Sequence, residues 1–117
     1  METIQILKRE NISEQLLAEK YYGILSIVND LKLTEREIQL VAYTALRGNI
    51  TFPNTRNEFC DVYKTTVPTI SNIISKLKKK KIFIKENKLI KLNPIIVLDF
   101  KKNVKLEINL VWRSQKQ

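Results

Sequence analysis

Apolar residues recur at spacings of three and four along three stretches of the chain, and this spacing predicts amphipathic helices. The stretches are 13–29, 34–48 and 66–80. In the second stretch, Thr34 and Glu37 have the spacing of a capping box, which marks the start of a helix. A glycine at position 48 suits the residue just past its end.

A shorter helix is predicted immediately before the third stretch. Residues 55–58 repeat the capping-box pattern, and Phe59 and Val62 supply a short apolar face. The pattern breaks at residues 64 and 65, and Thr66 can cap the helix that follows. The sequence therefore predicts two helices joined by a tight turn.

Alternation of apolar and polar residues predicts β-structure in the second half of the chain. Residues 82–85 and 88–92 form two short strand patterns around Glu86-Asn87, and asparagine tolerates the backbone of a hairpin turn. The strongest alternation covers 104–112, and it forms a second predicted hairpin with the apolar run 95–100. Shorter patterns at 2–8 and 50–52 predict one short strand each.

Residues 55–84 resemble, without a gap, the helix-turn-helix of bacterial and phage winged-helix regulators. The matching residues are Thr55, Glu58, Cys60, Thr66, Thr69-Ile70-Ser71 and Leu77. The resemblance implies an α+β fold: a winged helix-turn-helix, that is, a three-helix core with a β-hairpin wing. We expect a single domain, 1–117, with the core at 33–94, an N-terminal strand and helix at 1–32, and a C-terminal β-hairpin at 95–117.

Two lysines depart from this family's pattern. Lys64 lies in the turn between the helices and Lys81 lies just before the wing, where the family often has glycine. Both positions call for a backbone conformation that lysine adopts at some cost.

The charge of the chain is divided unevenly. Residues 1–62 hold seven Lys/Arg and nine Asp/Glu, a net charge of −2, whereas residues 63–117 hold fourteen and three, a net charge of +11. The basic half begins at the predicted turn, as expected of a surface that binds a polyanion.

These features predict a DNA-binding protein of phage or plasmid type, either a transcriptional regulator or a replication initiator. Helix 66–80 is expected to enter the major groove of double-stranded DNA, and the wing 82–92 is expected to grip the backbone. The predicted base-reading residues are Thr66, Pro68, Thr69 and Asn72. The predicted phosphate contacts are Lys76, Lys78, Lys79, Lys80, Lys81, Lys85, Lys88 and Lys91. Homo-oligomerisation through the N-terminal helix or the C-terminal strand is a further expectation.

Several other classes of function lack support in the sequence. The absence of histidine and the single cysteine, Cys60, exclude the usual zinc sites and the histidine-dependent triads, so we expect no enzyme, metal or cofactor. No apolar run spans a membrane, and a cytoplasmic location is expected. An alternative is a structural or assembly module, for example in a phage particle or a DNA-packaging complex, that touches nucleic acid without sequence choice. RNA binding is less favoured, because no strand presents a platform of aromatic residues.

Overall fold

The structure, a computed structural model, describes residues 13–96, and this part of the chain is an α+β fold. It contains four helices, a two-stranded antiparallel hairpin and a short 3-10 turn. Their bounds are α1 Glu14–Val28, α2 Glu35–Arg47, α3 Pro53–Tyr63, α4 Val67–Lys79, β1 Phe83–Glu86, β2 Leu89–Leu92 and the turn Pro94–Ile96. None of the helices between residues 13 and 96 is long and apolar enough to cross a membrane.

The starts of α1 and α2 and the end of α2 agree with the sequence patterns. The Ser13 hydroxyl accepts a hydrogen bond from the Leu16 N–H at the start of α1. At the start of α2, the Thr34 hydroxyl accepts from the Glu37 N–H, and the Glu37 carboxylate accepts from the Thr34 N–H. The helix ends at Gly48, whose left-handed backbone (φ 89°) favours glycine. The predicted capping box and C-cap of this helix are confirmed.

The predicted start of α3 is wrong. The helix begins at Pro53, whose fixed φ and missing N–H suit the first helical position, and no side chain caps it. Residues 55–58 are therefore already helical, and the Glu58 carboxylate pairs with Arg47 instead of capping. Phe59 is fully buried as predicted, but Val62 is 62% exposed, so the predicted apolar face is only half correct.

The predicted strand at 50–52 is also wrong, because its pairing stops after one backbone hydrogen bond. The Ile50 N–H donates to the Ile90 carbonyl oxygen (2.8 Å), and the Ile90 N–H donates to the Thr51 hydroxyl (2.7 Å). The next residue, Phe52, is the N-cap of α3 and does not pair with the hairpin. The segment nevertheless fixes the hairpin to the start of α3.

The hairpin differs from its prediction by one residue. Phe83 pairs with Leu92 and Glu86 pairs with Leu89, so the two-residue turn is Asn87-Lys88 and not Glu86-Asn87. Both turn residues have positive φ (52° and 64°), as a tight hairpin turn requires. Lys88 was predicted to begin a strand and lies in the turn instead.

One core joins all of these elements. Helix α1 contributes Ala18 and Tyr22 to it, and the Tyr22 hydroxyl donates to the Ile96 carbonyl oxygen at 2.7 Å. Helix α1 therefore packs into the same core as α2. The buried apolar residues are Ala18, Tyr22, Leu40, Val41, Ala42, Tyr43, Ile50, Phe59, Ile70, Ile74, Leu77, Ile82, Phe83 and Leu92.

Ile95 and Ile96, predicted as the start of a strand at 95–100, belong to the 3-10 turn after Pro94. The remainder of that strand, its partner at 104–112 and the predicted strand at 2–8 lie outside the described residues.

Candidate nucleic-acid interface

One side of helix α4 is buried in the core, and the opposite side is exposed to solvent. The Thr66 hydroxyl accepts a hydrogen bond from the Thr69 N–H, and this caps the helix as predicted. Ile70, Ile74 and Leu77 are buried. On the opposite side, residues at spacings of three and four form what we call the exposed row. The exposed row consists of Pro68, Asn72, Ser75 and Lys79.

Two members of this surface were not predicted. Ser75 lies seven residues after Pro68 and three after Asn72, so helical spacing alone was enough to find it. Val67 has the helical spacing of the buried Ile70 and Ile74 but is 40% exposed at the first position of the helix.

The predicted base-reading residues differ in how free their polar atoms are. The Thr66 and Thr69 hydroxyl oxygens lie 2.9 Å apart and share a hydrogen bond, so each is partly committed. Among the described residues, the Asn72 amide has no intramolecular partner. The Asn72 amide is therefore fully available to a ligand, unlike the hydroxyls of Thr66 and Thr69.

The structure binds Lys76 to a buried carboxylate. Its ammonium lies 2.8 Å from the Glu37 carboxylate, and the two side chains are 50% and 4% exposed. Burial tends to raise the pKa of Glu37, but hydrogen bonds from Lys76 and Thr34, together with the lysine's charge, lower it below 4.5 on balance. The ion pair fastens α4 to the first turn of α2.

Two more of the eight predicted phosphate contacts also have partners within the molecule. The Lys80 ammonium donates to the Leu31 carbonyl oxygen (3.0 Å), and the Lys91 ammonium lies 3.3 Å from the Glu86 carboxylate. The other five of the eight predicted lysines have no such partner among the described residues, and we call them the free lysines. They are Lys78, Lys79, Lys81, Lys85 and Lys88.

The free lysines follow the path of the chain from α4 into the hairpin. A short turn joins these elements, in which the Lys81 N–H donates to the Lys78 carbonyl oxygen and the Ile82 N–H donates to that of Leu77. Phe83 and Leu92 are buried at the base of the hairpin, whereas Lys85 and Lys88 are exposed toward its tip. The base of the hairpin is thus anchored in the core, and its exposed tip bears the cations Lys85 and Lys88.

Two arginines that the sequence did not single out position the helices of this surface. Arg56 donates from Nε to the Ile50 carbonyl oxygen (2.9 Å) and from Nη1 toward the Ser71 hydroxyl (3.5 Å). Arg36 donates to the Tyr63 carbonyl oxygen (2.7 Å) at the end of α3. The bonds from Arg56 to Ser71 and from Arg36 to Tyr63 join residues 15 and 27 positions apart, so no local pattern predicted them.

Lys64, in the turn between α3 and α4, adopts the left-handed backbone that the family's glycine would favour (φ 55°), and Lys81 does the same (φ 64°).

Between residues 13 and 96, no group of three or more His, Cys, Asp or Glu side chains is arranged to hold a metal ion.

No model of a known protein family matches the chain, and no curated protein and no solved structure matches it either. Function is therefore inferred from the sequence patterns and from the chemistry of the described residues.

Proposed function

We propose that this protein binds double-stranded DNA as a winged helix-turn-helix, with α4 in the major groove and the β1–β2 hairpin as a wing along the flanking backbone. The observation that carries the proposal is the division of charge among the exposed residues of α4 and the hairpin. The exposed row is uncharged from Pro68 to Ser75, and the free lysines begin at its far end and continue to the hairpin tip. This division suits a helix that meets base edges with its first half and phosphates with its last turn.

The dimensions of α4 support this orientation. Its 13 residues span about 20 Å, and the major groove of B-DNA, about 12 Å wide, admits an α-helix. Asn72 and Lys79 are seven residues apart, which corresponds to about 10 Å along the axis. When Asn72 lies over a base, Lys79 is therefore far enough along the helix to reach the backbone.

The salt dependence of binding tests the proposal quantitatively. If each free lysine neutralises one phosphate, the affinity for a random duplex should fall with salt with a log–log slope of about −4.5. If all eight predicted lysines did so, the slope would be about −7. We expect the smaller magnitude, because Lys76, Lys80 and Lys91 already have partners.

Variants of two exposed lysines test whether the salt dependence of DNA binding arises from this surface. Lys79→Gln should reduce the magnitude of the slope by about 0.9, the contribution of one phosphate contact. Lys20 lies on α1, is exposed and belongs to the acidic half of the chain, so Lys20→Gln is the matched control and should leave the slope unchanged. Fluorescence anisotropy with a labelled duplex measures both. Failure to bind DNA at low salt, or equal effects of the two variants, would refute the proposed surface.

We propose regulation of transcription or initiation of replication as the use of this binding. The two differ in where the protein binds. Selection of fragments from the source genome should recover promoter-proximal sites for a regulator and clustered sites at an origin for an initiator. A scattered recovery without a preferred sequence would contradict both.

A structural or assembly module is the second candidate function, and exposed apolar residues on α1 favour it. Ile27 is 81% exposed, and Val28 beside it is also exposed. Such a pair suits contact with another protein. Sedimentation of the wild-type protein and of Ile27→Lys distinguishes the two: a large assembly that the substitution dissolves supports the module, and an unchanged small species contradicts it.

A further inference from the structure

The exposed surface of α4 from Val67 to Ser75 offers a restricted set of chemical groups. It presents the amide of Asn72, the hydroxyls of Thr69 and Ser75, and the apolar groups of Val67 and Pro68. None of these side chains is charged. DNA bases that face the helix between Val67 and Ser75 would meet one bidentate amide, two hydroxyls and two apolar surfaces.

Two cations on or beside α4 already have partners within the molecule. The Lys76 ammonium is 2.8 Å from the buried Glu37 carboxylate. The guanidinium of Arg56 donates to the Ile50 carbonyl oxygen, and toward the Ser71 hydroxyl on the flank of α4. Along the exposed row, the first cation without an intramolecular partner among the described residues is Lys79, the last residue of the helix.

These groups suit A·T pairs better than G·C pairs. In the major groove, guanine presents two acceptors, O6 and N7, which an arginine or lysine recognises. Adenine presents N7 as an acceptor and N6 as a donor, which an asparagine amide recognises with two hydrogen bonds. The thymine C5-methyl group is recognised by apolar contact. The surface from Val67 to Ser75 therefore contains the bidentate partner of adenine and apolar partners for thymine. It has no arginine or lysine for guanine, and its hydroxyls can bond to either kind of base pair.

We propose that α4 selects A·T base pairs through the major groove, with Asn72 as the residue that determines specificity by binding adenine, and with Val67 and Pro68 contacting thymine methyl groups. This inference rests on the proposed DNA binding. It adds the class of base pair that is read and the residue that reads it.

Synthetic duplexes with identical flanks and different central base pairs test this inference. The protein should bind an A·T centre more tightly than a G·C centre by about 5- to 150-fold, the range for one good bidentate contact. An inosine·C centre resembles A·T in the minor groove but presents the O6 and N7 acceptors of guanine in the major groove. We expect it to bind as weakly as the G·C centre. Equal binding of the inosine·C and A·T centres would mean that the minor groove is read, and it would overturn the proposal.

Two further changes assign the preference to named groups. Asn72→Ala should remove most of the preference for A·T, leaving only the part due to the thymine methyl group, with the affinity for the G·C centre unchanged. Asn57→Ala, at an exposed position of α3, is the matched control that should retain the full preference. Replacing thymine with uracil removes only the methyl group and should weaken binding to the wild-type protein. A preference of undiminished size in Asn72→Ala would overturn the role of Asn72.

The outcomes separate this inference from the proposed function. If the protein binds none of the duplexes, both the DNA-binding proposal and the base preference are refuted. If it binds all of them equally, or prefers the G·C centre, DNA binding stands and the A·T preference is refuted. Because Asn72 is exposed and its side chain makes no hydrogen bond to another described residue, a thermal melt of Asn72→Ala should match that of the wild type.

Discussion

Replacing Lys76 with methionine removes the cation that neutralises a buried carboxylate. The Glu37 side chain is 4% exposed, and its partners are the Lys76 ammonium at 2.8 Å and the Thr34 N–H. Methionine retains most of the length of the lysine side chain, so the variant tests the charge more than the packing. We expect Lys76→Met to lower the free energy of unfolding, although Lys76 was predicted from the sequence to contact phosphate.

The magnitude follows from the unequal burial of the two partners. Exposed ion pairs contribute about 0.2–1 kcal/mol, whereas breaking a fully buried pair costs about 3–5 kcal/mol. Here one partner is buried and the other is half exposed, so we expect a loss of about 1–3 kcal/mol. In a Glu37→Gln background, the same substitution should cost less than about 0.5 kcal/mol, because no buried charge remains. Glutamine also preserves the capping-box position.

The dependence on pH has a defined sign. The folded-state pKa of Glu37 is lowered below its ordinary value of 4.5, so its contribution to stability is present above pH 4.5 and is lost as the pH falls through the folded-state value. Without Lys76, burial acts on this carboxyl with less opposition, and its pKa should rise. The stability difference between the wild type and Lys76→Met should therefore shrink in acid.

Urea denaturation of the four proteins in this cycle, above and below pH 4.5, measures these effects. Lys79→Met is the matched control, since Lys79 is exposed and has no partner among the described residues. It should change stability by less than about 0.5 kcal/mol. Equal losses for Lys76→Met in the wild-type and Glu37→Gln backgrounds would refute the ion-pair reasoning. A DNA salt slope reduced as much by Lys76→Met as by Lys79→Met would show that Lys76 contacts phosphate after all.

The remaining predictions concern the backbone and the core. Lys64→Gly should stabilise the fold by about 0.5–1 kcal/mol, because glycine adopts the left-handed backbone (φ 55°) without the Cβ penalty; chemical denaturation measures it, and a loss of stability would contradict this account of the turn. Phe59→Ala should cost about 3–5 kcal/mol because the ring is fully buried, whereas Val62→Ala should cost less than about 0.5 kcal/mol because Val62 is exposed. Comparable losses for Phe59→Ala and Val62→Ala would contradict the observed orientation of α3.

Local patterns were most informative where the chain marks its own boundaries. Helix α2 begins at a reciprocal capping box and ends at a glycine with φ 89°, and its bounds agreed with the prediction. Helix α4 agreed for the same reason, with Thr66 as its cap. The start of α3 was mispredicted because residues 55–58 match a capping box, while Pro53, two residues earlier, already suits the first helical turn.

Features set by tertiary contact were not predictable from these patterns. The hairpin turn was misplaced by one residue because Lys88 occupies a left-handed conformation that lysine rarely adopts. The ion pair of Glu37 with Lys76 joins two helices, and its lysine matched a phosphate contact equally well in sequence. Within the candidate site, helical spacing found Pro68, Asn72 and Lys79, and the same spacing should have included Ser75.

Backbone amide chemical shifts, followed by NMR while a short DNA duplex is added, test the central claim most directly. The claim predicts that the largest shifts fall on the exposed side of α4, from Thr69 to Lys79, and on the hairpin tip, from Lys85 to Lys88. Helix α1 should be little affected. Shifts concentrated on α1, or no shifts at low salt, would contradict the claim that α4 and the hairpin bind DNA.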